Sequence, residues 1–237
     1  MAIKAELAWC AGLYDAEGCT TIGKQDKRRY VHLTLNQKEP AGVLEKFGKI
    51  IGVGRLHGPY ARQTKTGKLS YRWDYQIQSA AQIDRALGAM WPFMGSVKQK
   101  QALFNIGKQT SKYRYTEREL MPASYATEEE ALSWAGGFYS GDGSSYLSTG
   151  LPYLSASQKH EEVLERLKSI MGVGCICGPY TRKEAEPQEH EWLYWITDGS
   201  EVRYALKRIW PYLSEVKKDQ VRKLKTKSAL YSDIELT

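Results

Sequence analysis

With 237 residues, 34 Lys and Arg against 27 Asp and Glu, and a net charge of +7, the chain can form one large or two small packed domains and favours a polyanionic partner. No apolar run is long enough to span a bilayer and no secretory pattern opens the chain, so an intracellular protein without a membrane partner is expected, in a prokaryotic cytoplasm or an organelle matrix. Cys10, Cys19, Cys175 and Cys177 complete no zinc pattern and read as free thiols of a reducing compartment.

In chain order, residues 5–15 are predicted as a helix whose small residues Ala8, Ala11 and Gly12 admit a second backbone closely. It belongs to the segment Trp9–Gly18, WCAGLYDAEG, which places Glu17 just before a glycine. A strand over 19–25 and a turn near Gln25–Arg28 lead to a second strand, where Val31, Leu33 and Leu35 alternate with Tyr30, His32 and Thr34. Val43, Leu44, Phe47, Ile50 and Ile51 keep helical spacing until Gly52 and Gly54 stop it. Strands at 54–62 and 70–78 follow, the second with Tyr71, Trp73, Tyr75 and Ile77 on one face and Arg72, Asp74 and Gln76 on the other. A helix from Ala80 breaks at Trp91-Pro92, and another covers about 94–107. A polar linker over 108–128 has little periodicity, and Thr127 with Glu130 forms a capping box that opens the next helix.

From that point the pattern repeats. Trp134–Gly143, WAGGFYSGDG, is a second version of the first motif and puts Asp142 where Glu17 stands. Gln37-Lys38 matches Gln158-Lys159, Gly52-Val53-Gly54 matches Gly172-Val173-Gly174, and Gly58-Pro59-Tyr60 matches Gly178-Pro179-Tyr180. Trp91-Pro92-Phe93 matches Trp210-Pro211-Tyr212, and Val97-Lys98 matches Val216-Lys217. The expected fold is α+β: two tandem αββαββα repeats, over 1–107 and 129–237, each a four-stranded antiparallel sheet with helices on one face and polar residues on the other.

The paired motifs, the repeated element order, the Gly-Val-Gly and the late Lys near Trp-Pro-aromatic resemble the LAGLIDADG homing endonucleases, in the monomeric, pseudo-twofold branch with two motifs in one chain. The resemblance implies a saddle of two sheets on a DNA duplex, with the motif helices side by side and their terminal acids beneath the duplex centre. It implies a site-specific endonuclease that makes a double-strand break with short 3′ overhangs. Glu17 and Asp142 would then hold Mg²⁺, helped by the carbonyls at Gly18 and Gly143, with Mn²⁺ substituting and Ca²⁺ allowing binding without cleavage. Carboxylates suit this task, because Mg²⁺ takes hard oxygen ligands and activates water for phosphodiester hydrolysis. Lys98 and Lys217 correspond to the family's basic residue near the metal, and Gln37 and Gln158 to the polar residue that orders water. Glu17 stands where Asp is common, and Ser140 replaces the acid of Asp15 at a position that more often caps or packs. An additional basic residue a few positions after the Gln is absent from both halves. A free-standing or intron-encoded enzyme is expected rather than an intein, with its own intron RNA as a further partner.

Alternation assigns the reading surface. Thr21, Gln25, Arg28, Tyr30, His32, Thr34, Arg55, His57, Arg72, Asp74 and Gln76 fall on the polar face of the first half. Tyr146, Ser148, Tyr153, Ser155 and Trp195, with Cys175, Cys177 and Leu193, take the equivalent places in the second. Arg and Gln pair bidentately with guanine and adenine edges in the major groove, so the more apolar second half should read less directly and the target should be asymmetric. Two half-sites of about one helical turn imply a site of roughly 20 base pairs. Lys24–Arg29, Arg62–Lys68 and Lys217–Lys227 are candidate phosphate contacts. The alternatives are an RNA maturase, an activity compatible with cleavage in one protein, and a catalytically inactive DNA-binding protein on the same fold; a pure binder has no reason to keep both acids.

Overall fold

A helix that is apolar on every side has to lie in the middle of its protein. In the computed structural model this is the position of α1 (Ala2–Glu17) and α5 (Glu128–Asp142). Ala8 through Tyr14 are all buried, as are Leu132 through Ser140. The structure describes residues 2–25, 28–38, 41–63, 67, 69–148, 150–182 and 189–225. The two helices touch through reciprocal glycines: a Cβ on Gly12 would stand 2.0 Å from the Trp134 carbonyl oxygen, and one on Gly137 would stand 2.0 Å from that of Trp9. Only bare backbone fits at either crossing point.

Each motif helix runs directly into a sheet. The first sheet comprises β1 (Gly18–Gln25), β2 (Arg28–Lys38), β3 (Arg55–Gln63) and β4 (Leu69–Ile77), all antiparallel in the order β1-β2-β4-β3. The second comprises β5 (Gly143–Ser148), β6 (Leu151–Gln158), β7 (Cys175–Arg182) and β8 (Glu189–Ile196), in the matching order β5-β6-β8-β7. The remaining helices are α2 (Gly42–Ile51), α3 (Ala80–Met90), α4 (Ser96–Lys108), α6 (Glu161–Met171), α7 (Gly199–Ile209) and α8 (Glu215–Lys225). The expected α+β architecture of two repeated halves is the one observed.

The repeated Gly-Val-Gly has a structural reason. α2 and α6 stop at left-handed Gly52 and Gly172, and the following Val53 and Val173 carbonyls accept the hydroxyls of Tyr75 and Tyr194 at 2.5 and 2.9 Å. Differences from the sequence expectation lie at element ends. α1 reaches Glu17 with no intervening loop, and β2 continues through Asn36, Gln37 and Lys38. α4 starts at Ser96 because Met94 and Gly95 are extended, at ψ of 144° and 154°. The expected turn at 26–27 lies outside the described residues, as do positions 64–66 and 68 of the Arg62–Lys68 segment.

The linker has no regular structure but is fixed along the first half. Asp84 pairs with Arg118 at 2.6 Å and accepts the Thr116 N–H at 3.1 Å. The Trp91 indole donates to the Glu119 carbonyl at 3.0 Å, and the Met121 N–H to Gln99 Oε1 at 3.0 Å. Thr127 caps α5 by accepting the Glu130 N–H at 3.2 Å. The return bond of the capping box goes to the Ala126 N–H, at 2.7 Å from Glu130 Oε2, one residue earlier than in the standard motif. Among the described residues no helix is long and apolar enough to cross a membrane.

Candidate nuclease centre and nucleic-acid interface

The crossing of α1 and α5 brings their C-terminal acids to the same end of the molecule. Glu17 and Asp142 each sit where a helix turns into a strand without a loop, and the following glycine makes this possible. A Cβ on Gly18 would strike the Tyr14 ring at 2.0 Å, and one on Gly143 would strike the Tyr139 ring at 2.3 Å. The tyrosine four residues before each motif glycine therefore fixes the position of the acid between them.

Both acids have the same partners. Gln37 Nε2 donates to Glu17 Oε1 at 3.1 Å, and Gln158 Nε2 donates to Asp142 Oδ2. Lys98 on α4 donates to the Gly18 carbonyl at 2.5 Å, and Lys217 on α8 donates to the Gly143 carbonyl. Burial pushes the Glu17 carboxyl up to about 7, and the nearby Asp142 charge adds to it while Lys217, Lys98 and Lys38 oppose it. Burial likewise takes Asp142 up to about 6, against the Gln158 hydrogen bond and the two lysines. Burial pulls Lys217 down, with Asp142 and Glu17 holding it up. Two acids and two lysines are thus within electrostatic reach of one another in a partly desolvated space.

Two openings flank these residues. One, of about 450 Å³, is lined by Glu17, Gln37 and Lys38 from the first half and by Lys217 and Gln220 from the second. The other, of about 520 Å³, is lined by Lys98 and Gln101 from the first half and by Gln158 and Lys159 from the second. Each half therefore supplies its lysine to the other half's glutamine. The oxygen-only donor set of two carboxylates and two turn carbonyls fits a hard divalent cation, with waters and phosphate oxygens completing the shell. Among the described residues no cluster of three or more His, Cys, Asp or Glu offers a metal site. Both turn carbonyls are engaged by lysine ammonium groups, so a cation there would share or replace that contact.

Asp15 has a different task. It is buried and accepts the Gly95 N–H at 2.9 Å, the Trp134 indole at 2.9 Å and Arg166 at 3.2 Å. Burial raises its pKa, opposed by Arg166, Trp134 and Gly95. At the equivalent place Ser140 Oγ accepts the Ser214 N–H at 3.0 Å and donates to the Gly136 carbonyl at 2.7 Å. The position packs in both halves, as its sequence context suggested.

The strand register puts the expected reading residues on one outward face. Thr21 faces His32, Gly23 faces Tyr30, Thr34 faces Gln76, Arg55 faces Gln76 and His57 faces Asp74. Gln25 and Arg28 close the far end of β1 and β2. Asp74 differs from expectation in being buried at the floor of this face, beneath Arg72. Ser155 is also buried. In the second sheet Tyr146 and Tyr153 stack at 5.6 Å, Ser148 pairs with Leu151, and Trp195 lies between Ser155 and Cys175. Sequence reasoning missed Asn36, Lys38, Tyr60, Tyr180 and Glu191, which the register places on the same two faces. The signal for Asn36 and Lys38 was available, because the alternation of β2 simply continues past Thr34.

The fold and its centre define a class: this is the LAGLIDADG fold in its two-motif, single-chain form. Among solved structures the chain is similar to the LAGLIDADG meganuclease I-AabMI, seen bound to uncleaved DNA, at 17% identity and TM-score 0.62 over 98% of this chain and 93% of that one. It is also similar to the homing endonuclease I-GzeII in complex with its DNA target, at 13% identity and TM-score 0.55 over 96% and 95% of the two chains. The N-terminal LAGLIDADG domain of DUF199/WhiA matches at 10% identity and TM-score 0.51, over 88% of this chain and 82% of that one. No protein-family model matches the sequence, and no curated protein matches it by sequence comparison.

Proposed function

We propose that the protein is a homing endonuclease that binds an asymmetric double-stranded DNA site of roughly 20 base pairs and hydrolyses one phosphodiester in each strand, leaving short 3′ overhangs. One observation carries this reading: two acids from equivalent helix ends lie within electrostatic reach of each other, each bonded to a Gln and accompanied by a Lys. Glu17 and Asp142 are the metal-holding acids, with the Gly18 and Gly143 carbonyls as auxiliary oxygens. A bound Mg²⁺ would supply charge neutralisation at the phosphate and a water of lowered pKa. Gln37 and Gln158 fix the acids and the adjacent water, since an amide both donates and accepts. Lys98 and Lys217 stand ready to balance charge developing on the phosphate. Mn²⁺ would replace Mg²⁺, and Ca²⁺ would support binding alone.

The two outward faces support DNA as the partner. Arg28, Arg55, Arg72, Lys38 and two histidines on the first face supply donors for base edges and phosphates, while the second offers Tyr146, Tyr153 and Trp195 for apolar contact. The chain acts as a monomer, because both acids are already present in one molecule. The likeness to the DUF199/WhiA domain, which carries no endonuclease name, favours a second reading: a binder of DNA or intron RNA that does not cut.

The deciding experiment incubates the full chain and Mg²⁺ with a supercoiled plasmid carrying the uninterrupted host sequence. Linearisation that is lost in Glu17→Gln or Asp142→Asn supports the nuclease. Tight binding of DNA or intron RNA with no strand cut in any divalent metal would establish the second reading instead.

A further inference from the structure

Arg72 and Asp74 stand two residues apart on the outward face of β4, at very different depths. The Asp74 side chain is 9% exposed and the Arg72 side chain 52% exposed, so the acid is a floor and the guanidinium stands above it. Asp74 Oδ1 lies 2.9 Å from Arg72 Nε, and Oδ2 accepts from Nη2 at 3.0 Å. This contact, one hydrogen bond from Nη2 and a close Nε–Oδ1 approach, lies along the side edge of the guanidinium and orients it. The end fork, formed by Nη1 and the second N–H of Nη2, is not used by Asp74. Such a preset two-donor fork matches the one base edge in the major groove with two adjacent acceptors, N7 and O6 of guanine. Arg72 also lines the opening that contains Glu17 and Gln37, so the base it meets lies beside the cutting centre.

The pseudo-symmetric place holds the opposite chemistry. Tyr60 pairs with Arg72 in the first sheet, and Tyr180 pairs with Glu191 in the second. By the same register Leu193, opposite Cys177, replaces Asp74, opposite His57. Glu191 lies close enough to Asp142 for its charge to act on that acid. A carboxylate accepts only, and the major-groove group it suits at this position is the N4 amine of cytosine.

We infer that the two base pairs flanking the cut are read in opposite senses: Arg72, set by Asp74, takes guanine, and Glu191 takes cytosine at the mirrored position. This rests on the DNA-cleaving reading above and sharpens it. In a palindrome a guanine at one position is mirrored by cytosine along the same strand; here that strand carries guanine at both.

The test selects bound duplexes from a random-sequence pool with the full-length protein in Ca²⁺, for the wild type and for Arg72→Ala, Arg72→Lys, Asp74→Asn and the double variant Glu191→Arg/Leu193→Asp. Arg72→Ala should lower the preference for guanine at one position by about tenfold or more and leave the other positions as they were. Arg72→Lys should not restore it, because lysine keeps the charge but lacks the fork. Asp74→Asn should weaken the same preference with the arginine still present. The double variant should turn cytosine to guanine at the mirrored position. A wild-type consensus that survives Arg72→Ala, with affinity falling equally for all sequences, makes Arg72 a phosphate contact and overturns the inference alone. A wild type that enriches no sequence overturns both this inference and the nuclease reading.

Discussion

Arg166 Nη1 lies 3.2 Å from Asp15 Oδ2, an ion pair that ties α6 of the second half to the motif helix of the first and is almost out of water. The guanidinium also lies 3.8 Å over the ring of Trp134, whose indole donates to the same carboxylate. On the mirrored side Lys46 Nζ lies 4.0 Å over Trp9, whose indole donates at 2.8 Å to the Tyr212 carbonyl, and the neutral Ser140 replaces the acid. Among the described residues one seam is therefore closed by a buried ion pair, and the other by a cation over an indole with a serine in place of the acid.

Removing half of a buried ion pair leaves the other charge without a partner. Asp15→Ala is expected to lower the unfolding free energy by about 3–5 kcal/mol. The double variant Asp15→Ser/Arg166→Lys, which copies the mirrored seam, should recover most of that loss. Urea denaturation measures both, and an unchanged midpoint for Asp15→Ala would show that the pair contributes nothing.

Gly12→Ala should destabilise by about 1–3 kcal/mol or more, because its Cβ would stand 2.0 Å from a backbone oxygen that cannot move away alone. Gly107→Ala near the end of α4 meets nothing within 4 Å and should stabilise by about 0.5 kcal/mol through helix propensity. Thermal melts of the two variants should shift in opposite directions.

The folded pKa of Glu17 is raised, so ionising it costs the metal-free protein stability. That cost is absent below the ordinary value of 4.5 and complete above about 7. Asp142 adds a cost of the same sign between 3.8 and about 6. Glu17→Gln should therefore match the wild type near pH 4.5 and exceed it by about 1–2 kcal/mol at pH 8 in EDTA. A stability difference that does not change with pH would refute the assignment.

Lys98→Met and Lys217→Met should each slow strand cleavage by about a hundredfold, with DNA affinity in Ca²⁺ changed much less. Strand-resolved cleavage assays separate the two effects, and an equal loss in binding would reassign the lysines to simple phosphate attraction.

Elements with short-range signatures were readable in the chain. Alternation in β2 and β4 exposes their two faces, and the Gly-Val-Gly stops mark the ends of α2 and α6. The paired motifs, Glu17 and Asp142 with their Gln and Lys companions, were readable because duplication lets one half check the other. Asp74 was assigned correctly to the polar face but not to its floor, since alternation reports side and not depth. The partner of Asp15 was not readable at all: Arg166 is 151 positions away, and nothing local to either residue announces the other. The fixed linker was missed for the same reason, because Asp84 and Arg118 have no periodic relationship.

By itself the sequence determined where the two motif acids and their Gln and Lys companions stand and that there are two copies of the set, because periodicity and repetition are properties of chain order. Tertiary structure alone decided how the copies combine: which lysine reaches which opening, and which seam between the halves carries a buried ion pair. These depend on the close approach of two backbones at Gly12 and Gly137 and on pairing across sheets. Such contacts join positions far apart in the chain, and only a packed three-dimensional arrangement brings them within hydrogen-bonding distance.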